Sequence, residues 1–166
     1  MMPAAMRRLV EDIGEAVGAS PEQFPETVTA ALCAALRAGD WLAPERRRAT
    51  HDNYTRHLLY ADPDGRFSIL SIVWAQGQAS PVHGHHAWCA VEVYRGELTE
   101  CFYREHANAA PELTTTIHRL AGTVSYDPAA GAVHRIANER PDIAITLHVY
   151  GADAGLLAAG VNHVLP

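Results

Sequence analysis

Gly77-Gln-Ala-Ser-Pro-Val-His83-Gly-His85-His86-Ala-Trp-Cys89-Ala-Val-Glu-Val-Tyr-Arg-Gly96 is an apolar strand pattern interrupted by closely spaced imidazoles and a cysteine. Side chains alternate across extended backbone, so His83 and His85 share a face and can hold one metal ion from one side. His86 then points away, as an exposed or supporting residue. Alone, the pair also fits a surface loop with two exposed histidines. The sequence on either side decides between the two.

From Trp41 onward, apolar runs are short and rich in β-branched and aromatic residues. Asp62-Pro-Asp-Gly65, Gly96, Gly122 and Asp127-Pro-Ala-Ala-Gly131 punctuate them as turns. Strands are predicted at Tyr54 to Tyr60, Phe67 to Trp74, Trp88 to Tyr94, Leu98 to Arg104, Thr115 to Leu120, Thr123 to Tyr126 and Ile143 to Tyr150. No helix-length segment intervenes, which favours a sandwich or barrel.

The first quarter differs. Leu9, Val10, Ile13 and Val17 recur at helical spacing until Gly18. Ser20-Pro21-Glu22-Gln23 has the form of an N-cap with proline at the first helical position, and Val28, Leu32, Ala35 and Leu36 give the second helix its apolar face, closed by Gly39. The expected fold is all-β with N-terminal helices: one domain over 1–166, with a helical extension at about 5–40 packed on a barrel at 41–166.

Composition narrows the function classes. The 166 residues suffice for one core without disulfides. A net charge of -6 argues against nucleic acid or an anionic membrane as partner, and Arg46-Arg47-Arg48 is the only basic cluster, read as a solvated segment. No run approaches a membrane span, and the N-terminus lacks a signal peptide's apolar core. Cys33, Cys89 and Cys101 match neither a disulfide framework nor a zinc ribbon, so a cytoplasmic location is expected. Cys33 and Cys101 read as small buried hydrophobes. His51, His57, His106, His118 and His163 have no partner spacing and read as surface or structural residues.

The last predicted strand has the sharpest alternation. Ile143, Ile145, Leu147 and Val149 form a core face, while Ala144, Thr146, His148 and Tyr150 share the other. An unpaired buried polar group costs about 1–3 kcal/mol, so His148 and Tyr150 call for partners in a polar pocket inside the barrel.

The frame around the histidines resembles the first motif of the cupin family: Gly77, five residues, His83-x-His85, then a closing Gly96, with Cys89 where the family's glutamate ligand belongs. Gly122, Pro128, Gly131, His134 and Asn138 resemble the second motif, with one extra residue between proline and glycine. The resemblance implies a double-stranded β-helix, a jelly-roll-like barrel, with His83, His85 and His134 as metal ligands.

Cysteine in the glutamate position is similar to the thiol dioxygenases, the cysteine dioxygenases among them. Tyr54-Thr-Arg56 resembles the strand carrying their carboxylate-binding arginine, Trp74 their pocket tryptophan, and Thr146-Leu-His148-Val-Tyr150 their Ser-x-His-x-Tyr segment. The resemblance implies an Fe(2+) enzyme that adds both atoms of dioxygen to the sulfur of L-cysteine. Tyr54, Arg56 and Trp74 would bind substrate, and Tyr150, His148 and Cys89 would serve catalysis. It further implies a thioether between Cys89 and Tyr150, as in animal-type members.

Elementary chemistry is consistent with this. Three neutral imidazoles leave open positions on a first-row metal and add no negative charge, so an anionic substrate sulfur would restore charge balance on Fe(2+). Three-histidine sites also hold zinc, but a zinc hydrolase needs a general base, and Glu92 falls on the strand face opposite Cys89. Arginine suits bidentate carboxylate binding better than lysine. Two alternatives stay open: the same chemistry on 3-mercaptopropionate or mercaptosuccinate, and a zinc or manganese cupin isomerase or hydrolase. The expected partners are a small thiol and O2, with the chain a monomer or weak homo-oligomer.

Overall fold

The computed structural model describes residues 2–19, 22–107, 109–129, 132–159 and 162–165. Two helices open the chain, α1 (Ala4–Val17) and α2 (Phe24–Arg37), followed by a 3-10 turn at Pro44–Arg47. The strands are β1 (Thr55–Ala61), β2 (Ser68–Trp74), β3 (His83–His85), β4 (Cys89–Arg95), β5 (Glu97–His106), β6 (Ala109–Leu120), β7 (Val124–Asp127), β8 (Val133–Ala137) and β9 (Ala144–Tyr150). A short helix α3 (Ala154–Ala159) and strand β10 (Asn162–Val164) follow.

The strands form two antiparallel sheets of five, in the orders β1-β2-β9-β4-β7 and β10-β3-β8-β5-β6. This is the double-stranded β-helix expected from the motifs. The odd-numbered core residues of β9 lie on the outer face of the first sheet, with Ile69, Val73 and Ala90, where Leu9, Ile13, Val28 and Leu32 of the two helices cover them. Both faces of β2 and β9 are therefore buried. The inward face, carrying Thr146, His148 and Tyr150, looks across at the second sheet.

Tyr94 ties the helical layer to the sheet. Its hydroxyl donates to Asp40 Oδ1 at 2.9 Å and accepts from the Leu42 backbone N–H at 3.1 Å. Glu92 also lies on this covered face and is fully buried, with neither carboxylate oxygen hydrogen-bonded among the described residues. Burial pushes its carboxyl up to about 8, so it is neutral at pH 7.

Gly96, which closes the histidine motif, has φ 82°, and a Cβ there would lie 2.9 Å from both the Ala144 Cα and the Ile143 carbonyl oxygen. Only glycine permits this turn between β4 and β5.

Several expectations shift. Helix α2 begins at Phe24 with Pro25 in its first turn and no side-chain cap; Ser20 and Pro21 lie outside the described residues, as does Gly131 of the second motif. Cys33 and Cys101 are free and only half-buried rather than buried, and the Cys101 Sγ meets the Thr116 hydroxyl at 3.7 Å instead of a core. Strands β3, β8 and β10 and helix α3 add to the predicted elements. Each is short, and β3 and β8 interrupt their apolar pattern with the polar residues of the site.

Candidate metal centre and its surroundings

Strand β3 delivers His83 and His85 on one face, as two-residue periodicity requires, and His83 is the register partner of His134 on β8. The three rings meet inside the barrel with centroids 5.1 Å (His83 to His85), 4.7 Å (His83 to His134) and 5.0 Å (His85 to His134) apart. One ring nitrogen from each lies within 4.8 Å of the others, and all three residues are buried.

Each Nδ1 is committed behind the cluster. That of His83 contacts the Pro81 carbonyl at 3.0 Å, that of His85 the Asp127 carboxylate at 3.0 Å, and that of His134 the Glu100 carboxylate at 2.6 Å. These acceptors place the proton on Nδ1 and leave the Nε2 lone pairs pointing inward. His134 Nε2 is buried with no hydrogen-bond partner among the described residues. A buried lone pair left unpaired costs about 1–3 kcal/mol. A cation shared by the three nitrogens satisfies it, so the donor set fits a divalent transition metal. Burial, with the neighbouring His134, pulls His83 down to about 4 and keeps it neutral, as a ligand must be.

A cavity of about 140 Å³ opens onto the three imidazoles, walled by Tyr54, Arg56, Trp74, His148 and Tyr150 among others. The substrate-side residues singled out in the sequence are thereby brought to one pocket. The Arg56 guanidinium donates to the Tyr54 hydroxyl at 2.9 Å and sits 5.3 Å from that ring's centre. Tyr54 in turn stacks on Trp74, centroids 4.5 Å apart.

Opposite runs a polar chain. Trp74 Nε1–H donates to Thr146 Oγ1 at 3.0 Å, Thr146 Oγ1 lies 2.9 Å from His148 Nε2, and the Tyr150 hydroxyl lies 3.2 Å from His148 Nδ1. The partners demanded by the alternation of β9 are thus supplied by β2 and by β9 itself. Burial holds His148 well below its usual range and Tyr150 well above, so both are neutral.

Cys89 is the register partner of Tyr150 across β4 and β9. Its Sγ is 3.9 Å from His148 Nδ1, and burial pushes the thiol well up, with the Asp127 charge adding to the effect. It faces a second cavity behind the imidazoles rather than the Arg56 pocket. His86, one residue past the end of β3, is exposed. The remaining histidines stay peripheral; His106 meets the exposed Glu112, and His163 meets the exposed Glu105 and the ring of His86.

Glu100, Asp127 and Arg119 join the site without having been singled out by sequence reasoning. Glu100 carries a signal that could have found it: Leu98, Glu100 and Phe102 share the inward face of a predicted strand, so a carboxylate stands on an otherwise apolar face. Asp127 has the local pattern of a turn residue before Pro128. In the fold it ends β7 in the first sheet and reaches across to His85 in the second. Burial would raise the Glu100 carboxyl, but hydrogen bonds from His134 and Arg119 hold it below the usual range.

The sequence pattern of the cysteine dioxygenase type I family matches residues 29–153. This covers most of the chain, which belongs to that family of cupin-fold, dioxygenase-like enzymes. Solved structures agree on the fold. A double-stranded β-helix protein from Klebsiella pneumoniae subsp. pneumoniae MGH 78578 is 18% identical, with a TM-score of 0.53 over 77% of this chain and 99% of its own. A protein from Thermus thermophilus is 21% identical, with a TM-score of 0.51 over 65% of this chain and 91% of its own. A cupin 2 conserved barrel domain protein from Salinispora arenicola CNS-205 is 20% identical, with a TM-score of 0.50 over 73% and 93%.

Proposed function

We propose that the protein is an iron(II)-dependent thiol dioxygenase converting L-cysteine and dioxygen to cysteine sulfinic acid. The observation that carries this is one small cavity joining an all-imidazole face to the Arg56 guanidinium. In the net reaction both oxygen atoms end on sulfur, and the thiol hydrogen leaves as a proton from the sulfinic acid. Iron(II), held by His83, His85 and His134, would supply the open positions at which a thiolate and dioxygen are brought together.

The chain's own residues do the rest. Arg56 pairs with the substrate carboxylate, its fork aligned by the Tyr54 hydroxyl and the Tyr54 ring stacked on Trp74. The Tyr150 hydroxyl presents a neutral hydrogen-bonding group at the reacting atoms, oriented by His148, which Thr146 and Trp74 hold in place. Apolar Leu70, Ile72 and Ile136 limit the cavity to a small substrate. A zinc or manganese hydrolase or isomerase finds less support, because Glu100 and Asp127 are engaged behind the rings and no carboxylate lines the cavity among the described residues.

The pairing of Cys89 with Tyr150 supports formation of the thioether. A carbon–sulfur bond to the tyrosine ring would form with loss of two hydrogens, their electrons passing to dioxygen. Intact-protein mass after turnover is then expected to fall short by two hydrogens, and a full mass would remove the crosslink.

Oxygen uptake by the iron-loaded protein tests the activity. Cysteine is expected to turn over well, 3-mercaptopropionate and mercaptosuccinate less well, and cysteamine, which lacks the carboxylate, poorly. Arg56 is exposed at the cavity mouth, so Arg56→Gln is expected to lower kcat/KM for cysteine by about 10-fold, the scale of losing a charge-assisted hydrogen bond in contact with water. Cytoplasmic location, supported by three free cysteines, and a monomer or weak homo-oligomer complete the proposal.

A further inference from the structure

The three imidazoles are not backed alike. His83 leans on a neutral backbone carbonyl, whereas His85 and His134 lean on carboxylates. The two carboxylates also differ. Glu100 accepts from Arg119 Nε at 2.7 Å through its second oxygen, so its charge is compensated. Asp127 has only the Ala132 backbone N–H, at 3.2 Å, as a further partner, and no cation pairs with it among the described residues.

We propose that Asp127 and Glu100 supply, from behind the imidazoles, the negative charge that the all-histidine ligand set lacks, and that Arg119 sets how much of Glu100's charge reaches His134. This rests on reading the cluster as a metal centre. A carboxylate that accepts the Nδ1–H draws the proton toward itself, makes the ring more electron-rich and strengthens Nε2 as a donor. A guanidinium on the same carboxylate weakens that pull.

The register builds the arrangement. Glu100 and His134 are diagonal neighbours across β5 and β8, since Phe102 is the partner of His134. Arg119 is diagonal to Glu100 across β5 and β6. All three charged residues line the rear cavity of about 100 Å³, and none lines the Arg56 pocket. Their replacement therefore leaves the substrate walls untouched.

The test is cobalt(II) titration of the metal-free protein at pH 8, without thiol or oxygen, followed by calorimetry and by the visible absorption of the bound ion. Asp127→Asn and Glu100→Gln, which keep an acceptor oxygen but remove the charge, are expected to weaken cobalt binding by about 10 to 100-fold. Arg119→Gln is expected to move the opposite way and tighten it severalfold, and Arg119→Lys to restore the wild-type value. A merely structural cluster would weaken binding in every variant, Arg119→Gln included, and that result, or three unchanged affinities, overturns the inference. If Glu100→Gln fails to fold, the opposed signs of Asp127→Asn and Arg119→Gln still decide it. Wild-type protein that binds no cobalt at all would instead refute the metal centre itself.

Discussion

Tyr150 concentrates the residue-scale chemistry. Its hydroxyl is held by His148, its ring is 5.8 Å from the ring of His85, and its backbone is in register with Cys89. Tyr150→Phe removes one oxygen while keeping ring, packing and strand. With iron loaded, this variant is expected to lose about 10 to 100-fold in kcat, the usual scale for a group that orients reactants beside a metal, with little change in the KM for cysteine. Kinetics with cysteine varied at saturating oxygen checks it, and an unchanged kcat would remove the hydroxyl from the reacting atoms.

At the scale of elements, the helical layer is held to the first sheet by apolar packing and by the Tyr94 hydrogen bonds, with one unfavourable member, Glu92. Its folded carboxyl titrates at about 8 against an ordinary 4.5. The sign follows from linkage: below about pH 4.5 both folded and unfolded chains hold the proton, so there is no cost. Between about 4.5 and 8 the unfolded chain releases the proton and the folded one does not, so stability falls by up to roughly 1.4 kcal/mol per pH unit. Above about 8 the cost is complete. Glu92→Gln cannot ionise, so its stability relative to wild type is expected to rise across that window by a few kcal/mol. Urea unfolding at pH 5 and pH 9 measures this, and a pH-independent difference would contradict it.

For the whole molecule, the site is where the two sheets are joined. β3 and β8 of one sheet carry the imidazoles, while Asp127 and the Tyr150 wall come from the other. A ligand that binds only the folded state adds about 2.7 kcal/mol at one hundred times its Kd. In a chain this long that corresponds to a Tm higher by roughly 5 to 10 °C. Calorimetry of metal-free and iron-loaded protein, both oxygen-free, is expected to show such a rise, reversed by a chelator. His134→Ala should abolish the increment, since it removes the imidazole that β8 contributes to the cluster.

What the sequence determined by itself is whatever depends on short-range periodicity. Two-residue alternation places His83 beside His85, Thr146 beside His148 and Tyr150, and the outer core residues of β9 opposite them, and Gly96 marks a turn; that no other residue fits there is a matter of its approach to Ala144, which the fold decides. The barrel, the helical layer and the principal polar wall are legible for that reason. The short strands β3 and β8 are not, because three to five residues carry too little periodicity when the site's own polar groups occupy them. Only the tertiary structure decided the rest. It put Glu100, locally one more strand residue, behind His134, made the turn-forming Asp127 a strut between sheets, and left Glu92 unpaired beneath the helices. Each of these depends on which strands become neighbours and in what register, a pairing of segments tens of residues apart that no local pattern encodes.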